Sequence, residues 1–161
     1  MNNTRSCESC TACCDGWLRI EVRGHQIQPG NPCPFSVGQQ CAIYEDRPHD
    51  PCRVFNCGWL IPTSPMPVWM RPDKSNVIFM PANFSWRGKW VDVAVAVGEH
   101  PKKKALDWLK HFAFEQKRLL MYQHDDDWFA FGPPAFQAEI KQQLSRGQKP
   151  WSNQSKNVLP R

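Results

Sequence analysis

Hydrophobic and polar positions are patterned differently in the two parts of this chain. In the later part, Lys89-Trp-Val-Asp-Val-Ala-Val-Ala-Val97 is rich in β-branched residues and predicts a buried strand. Asn76 to Met80 predicts a shorter one. Leu106, Leu109, Phe112 and Ala113 recur at helical spacing, and Pro101 suits a first turn, so a helix is predicted from Pro101 to about Lys117. Leu119 to Gln123 predicts a strand and Asp125-Asp-Asp127 a turn. Trp128-Phe-Ala-Phe131 then returns as a hairpin partner. Beyond Gly132-Pro-Pro134, a second helix is predicted from Ala135 to about Ser145, closed by Gly147. The polar stretch Gln148 to Arg161 is expected to be loose.

Residues 1 to 60 show little periodicity. Gly and Pro punctuate them from Gly16 to Gly58, and only Leu18-Arg-Ile-Glu-Val22 alternates as a short strand would. Such a segment is expected to bury little apolar area and to need another source of stability, which metal ligation can supply. Ile61 to Pro72 carries four prolines, three of them within six residues, and predicts a stiff connector or an arm laid across the surface. The organisation expected is a module over 1–60 and a remainder over 61–161, packed as one compact unit.

Composition sharpens this division. The chain has 161 residues, 41% hydrophobic and 22% charged, which suits one ordered domain. It holds eight Cys, and all eight lie between Cys7 and Cys57. No stretch approaches the roughly 20 apolar residues of a membrane span; Val91 to Val97 is interrupted by Asp92 and followed by Gly98. Met1 to Arg5 lacks the apolar region of a secretory signal. The expectation is a cytoplasmic protein with no membrane partner, where dense cysteine reads as metal binding rather than a disulfide framework. Residues 1–60 carry five Arg against six acids, and 61–161 carry fifteen Lys or Arg against nine, within a net charge of +5. That mild excess does not by itself indicate nucleic acid.

The sulfur spacing is Cys7-x2-Cys10-x2-Cys13-Cys14, then Cys33, Cys41, Cys52 and Cys57. A C-x2-C turn brings two sulfurs to one side, so Cys7, Cys10 and Cys13 can face one site while Cys14 points elsewhere. Thiolates prefer zinc, iron–sulfur clusters and Cu(I) to hard cations. Two zinc sites would use all eight thiols. One four-iron cluster would use four. Four disulfides would require an oxidising compartment. The tight three-cysteine run favours an iron–sulfur cluster, because all-cysteine zinc sites more often come as separated C-x2-C pairs. A centre of four thiolates is anionic and wants cations and N–H donors nearby. Arg5, Arg47 and Arg53 lie close to the cysteines in sequence, and Arg53, beside Cys52, is the leading candidate.

These blocks resemble a known family. The run Cys7 to Cys14, then Cys33-Pro-Phe, Cys41-Ala-Ile-Tyr-Glu-Asp-Arg-Pro48 and Cys52-Arg-Val-Phe-Asn-Cys57 are similar to the YkgJ-type cysteine-cluster family, a zinc- or iron-chelating domain. The resemblance covers about residues 7 to 60. One departure is that His49, Asp50 and Pro51 separate the Arg-Pro from the Cys-Arg where two residues are expected. The resemblance implies metal chelation by the cysteines and no settled reaction.

Other residues are weaker candidates. His25 and His49 could replace a sulfur but read as surface or supporting residues. His124 with Asp125, Asp126 and Asp127 could hold a hard metal but reads as a solvated turn. Lys102-Lys-Lys104 opposes the dipole of the predicted helix and reads as a solvated start, with an anionic partner as the functional alternative. Trp59, Trp69, Trp86, Trp90, Trp108 and Trp128 read as anchors rather than base-stacking platforms. Asp15 and Tyr44 could hydrogen-bond backbone or sulfur. The expected fold is α+β: a loop-rich, metal-stapled N-terminal module packed on a short antiparallel sheet with two helices. The expected function is metal binding by the eight cysteines, with an accessory or redox role and a possible protein partner. A cluster-dependent enzyme and a zinc-stabilised nucleic-acid or protein interaction module are the alternatives.

Overall fold

A computed structural model of the chain describes residues 5–7, 9–151 and 158–160. Three strands form an N-terminal sheet: β1 (Leu18–Val22), β2 (His25–Ile27) and, from the far end of the chain, β9 (Val158–Pro160). β1 is central and antiparallel to both neighbours. A second small hairpin joins β3 (Ser36–Val37) to β4 (Gln40–Cys41). The main sheet has four strands in the order β5 (Val77–Trp86), β6 (Lys89–Ala96), β7 (Leu119–His124), β8 (Asp127–Phe131). A short helix, α1 (Pro72–Ser75), precedes it; α2 (Lys103–Glu115) links β6 to β7, and α3 (Pro134–Ser145) follows β8. The class is α+β.

The main sheet is mixed rather than wholly antiparallel, since β6 and β7 run parallel. Two parallel neighbours need a crossover connection, and α2 supplies it. Every residue from Val91 to Ala96 is buried, so β6 is covered on both faces. Phe112 of α2 packs edge-on against Phe79, and Phe136 of α3 against Trp86. β5 bulges between Met80 and Phe84. The bulge turns Ala82 to φ 48°, and its N–H donates to buried Asp92, which also takes two hydrogen bonds of 2.6 Å from Arg118.

Three expectations need correcting. The segment 61–72 is not a surface arm: Met66 and Met70 are buried, a 3₁₀ turn spans Val68–Met70, and Pro72 opens α1. The prolines forbid a long helix, but they leave room for one tight turn between them. The tail is not loose where it is described, because Trp151 is 2% exposed and packs on Trp128, and β9 pairs with β1. Residues 152–157 and 161 of that stretch lie outside the described residues, as does most of Met1 to Arg5. The N-terminal module also contributes apolar area: Leu18, Ile20, Val22, Ile27 and Trp59 join one core cluster with the main sheet. Among the described residues, no helix is long and apolar enough to cross a membrane.

Candidate metal centre

All eight cysteines border one cavity of about 110 Å³ between β1, the Cys-bearing loops and α1. Its walls are otherwise mostly apolar, with Ile20, Val22, Phe35, Phe55 and Trp59 among them. All eight are unpaired thiols. Local structure delivers each one. A wide helical turn over Cys13–Trp17 carries Cys13 and Cys14 and ends on Gly16 at φ 96°, which sends the chain into β1. Cys33 N–H donates to the Cys14 carbonyl at 2.7 Å and ties the two segments. Cys41 ends β4. A turn over His49–Arg53, with a cis Asp50–Pro51 peptide, carries Cys52. Gly58 N–H donates to the Phe79 carbonyl and anchors Cys57 to the main sheet.

The electrostatics group the thiols into two neighbourhoods. Burial pushes Cys13 well above the ordinary thiol range, reinforced by Cys57, Cys14, Cys10 and Cys7. Cys57 is pushed up to about 11 by burial, against the N–H groups of Leu60 and Trp59, with Cys10 and Cys7 adding to the rise. Cys14 is pushed up to about 12 by burial, then by Cys33, Cys41 and Cys52. Cys52 rises by burial and by Cys33 and Cys41, with Arg47 opposing. Cys10, Cys13 and Cys57 are therefore neighbours, and so are Cys14, Cys33, Cys41 and Cys52. Cys7 lies within electrostatic range of both groups, and the adjacent Cys13 and Cys14 belong to different ones.

Donors surround the sulfurs. Cys10 receives the N–H groups of Ala12 and Asp73, which oppose the rise that burial gives it. Arg47 Nη1 reaches Cys7 Sγ at 3.7 Å while its guanidinium lies 3.6 Å over the Tyr44 ring. Tyr44 hydrogen-bonds Cys7, and burial and that thiol raise its hydroxyl against the pull of Arg47. Arg53 stands one layer further out. It donates to the Glu45 and Arg47 carbonyls and so holds the loop that carries Arg47. Arg5 bonds the Trp59 and Met66 carbonyls. Asp15 pairs with Thr11 rather than a sulfur.

Two observations bear on what the cavity fits. Among the described residues, the Trp59 indole Nε1–H is buried and meets no acceptor, although Trp59 borders the cavity. A buried donor without a partner is costly, and a thiolate or sulfide would supply one. The volume also exceeds the roughly 10–15 Å³ that holds one water, so a group of several atoms fits. The sequence reads Trp59 only as an anchor; its place two residues past Cys57 is the signal that could have tied it to the cysteines. Gly16 and Asp73 were missed as well, since their roles depend on contacts distant in sequence.

The remaining candidates fall elsewhere. His25 and His49 are exposed, and His25 meets the Phe35 ring edge-on. Asp125 lies in the β7–β8 turn with its carboxylate between His124 and a residue not singled out in sequence, His100, at 3.1 and 3.2 Å. Their ligand atoms lie within 4.8 Å of one another, and no three of the cysteine sulfurs are that close among the described residues. Lys103 pairs with Asp107 and Lys104 covers Trp69. Trp86, Trp108 and Trp128 pack on other rings, while Trp90 is 62% exposed. No family model, curated protein or solved structure matches the chain.

Proposed function

We propose that this is a metal-centre protein in which the clustered cysteines hold an iron–sulfur cluster, in an accessory or redox role in the cytoplasm. The observation that carries the reading is the convergence of all eight thiols on one cavity. Thiols that burial keeps protonated need a cation to become thiolates, and a bound metal supplies that charge. The backbone N–H groups at Cys10 and Cys57, Arg47 at Cys7 and the unsatisfied Trp59 N–H suit sulfur that has become anionic. The spread of the sulfurs favours a cluster, because a single tetrahedral zinc with Zn–S near 2.3 Å draws its thiolates closer together than several metals do. A cluster would supply one-electron transfer. The resemblance of residues 7 to 60 to the YkgJ-type chelating family points the same way.

Zinc is the second reading, favoured by the grouping of the thiols into two neighbourhoods with Cys7 between them. Anaerobic purification with iron, sulfide and zinc analysis and an absorption spectrum separates the two. A brown protein with stoichiometric iron and sulfide supports the cluster. A colourless protein with two zinc ions replaces it with zinc, and metal-free or disulfide-paired cysteines overturn both.

A further inference from the structure

Beside the thiol cavity lies a separate open groove of about 460 Å³. Cys7, Tyr44, Arg47, Cys52 and Leu60 border both recesses, while Arg5, Glu45 and Arg53 border the groove alone. The groove's other charged walls are Arg5, Arg47, Arg53 and Glu45. Its volume is in the range of small-molecule sites, roughly 300–1,000 Å³.

Among the described residues, the three arginines are held by carbonyl acceptors and paired with no carboxylate. Arg5 donates to the carbonyls of Trp59 (2.8 Å) and Met66 (2.7 Å). Arg47 donates to the Tyr44 carbonyl (2.7 Å), and Arg53 donates to the Arg47 carbonyl (3.0 Å) and to that of Glu45. Elsewhere in the fold, Arg71, Arg87 and Arg118 pair with Asp73, Glu139 and Asp92. Among the described residues, no carboxylate lies within ion-pair distance of Arg5, Arg47 or Arg53. A guanidinium has five N–H donors, and carbonyl acceptors occupy only part of each set here. Fixing the guanidiniums in advance lowers the entropy lost when a ligand binds. Planar, pre-placed forks of this kind recognise oxyanions by paired, charge-assisted hydrogen bonds. Arg47 also serves Cys7, so part of its charge answers the thiols; Arg5 and Arg53 bond backbone instead.

We propose that this groove binds a small oxyanion, a molecule bearing a carboxylate or phosphate group. Arg5, Arg47 and Arg53 hold the anionic end, and the rest of the molecule lies against Cys7 and Cys52. What the ligand is placed beside rests on the metal-centre reading above; the anion site itself rests on the arginines.

The test is calorimetric titration of the full-length, metal-loaded protein with inorganic phosphate and, separately, malonate, at constant ionic strength set with KCl. Metal content is measured in every sample, so loss of the metal reading is scored apart from loss of anion binding. Saturable one-to-one binding of either probe is expected, and the probe that binds more tightly identifies the oxyanion class. Arg53→Gln and Arg5→Gln should each weaken binding at least about tenfold, the loss of one charge-assisted contact. Arg87→Gln, outside both the groove and the thiol cavity, should leave it unchanged. Glu45→Gln should tighten binding by removing a repelling carboxylate from the groove wall, a gain that misfolding cannot produce. The proposal is overturned by the absence of saturable binding of either probe up to about 10 mM. It is equally overturned by a loss in Arg87→Gln matching that in the groove variants, or by unchanged binding in Glu45→Gln.

Discussion

Gly16 stands two residues past Cys14, and a Cβ there would lie 2.3 Å from the Gln28 carbonyl oxygen. The close approach lets the β2 end of the hairpin lie against the cysteine turn. Gly24 is a useful contrast: its φ is also positive, at 80°, but a Cβ there meets nothing within 4 Å. Gly24→Ala should therefore cost only the left-handed backbone conformation, about 1–2 kcal/mol. Gly16→Ala adds a backbone clash and should cost more, about 3 kcal/mol or above, while lowering metal content per chain. Denaturant titration of both variants with metal analysis checks this. Equal losses would show that the Gln28 contact is unimportant. Trp59 makes a second prediction at this scale. Trp59→Phe keeps most of the apolar wall and removes the N–H. It should leave the metal-free fold nearly as stable and weaken retention of the metal centre against a chelator. Unchanged retention would mean the indole N–H serves no sulfur.

Asp92 shows how an element is assembled from residues far apart. In sequence it interrupts an apolar run, and that was all the sequence could say of it. In the fold it is 1% exposed, and it joins the β5 bulge at Ala82 to Arg118, which leads into β7. Asp92→Ala leaves the Ala82 N–H without its acceptor and Arg118, whose side chain is 35% exposed, without its partner, so it should cost about 1–3 kcal/mol. Asp92→Ala combined with Arg118→Met should recover part of that loss, read by thermal denaturation. Failure of the double variant to improve on the single one would sink this account. The elements legible in sequence were those with a strong local period, β6, α2, β7 and α3, because packing there agrees with local preference. Less legible were β9, whose partner β1 lies some 140 residues earlier, and the buried Met66 and Met70, hidden among prolines. The cysteine blocks were plain in sequence because spacing alone marks them. Their grouping into two neighbourhoods, and the placing of Arg47 rather than Arg53 at a sulfur, depend on loop packing that spacing does not encode.

Across the whole molecule, the proposed metal centre predicts that the thiols couple stability to pH in opposite senses with and without metal. In the metal-free fold, burial raises Cys14 to about 12 and Cys57 to about 11, against an ordinary thiol value of 9.0. Below pH 9 both folded and unfolded chains keep these protons, and the stability is fully present. Above it the unfolded chain ionises first and binds fewer protons, so stability falls as pH rises towards the folded values. Each thiol in that window contributes about 1.4 kcal/mol per pH unit. The metal-free protein should therefore lose thermal midpoint steadily from pH 9 to 11, while core variants far from the cavity keep the same slope. With the centre loaded, the cysteines are already thiolates. The alkaline slope should disappear, and a new loss should appear on the acid side as protons compete with the metal. Thermal scans of both forms across pH 5 to 11 check the pair of slopes. Identical profiles would separate the cysteines from any metal. A flat alkaline limb in the metal-free form would show that the thiols are not buried as a group.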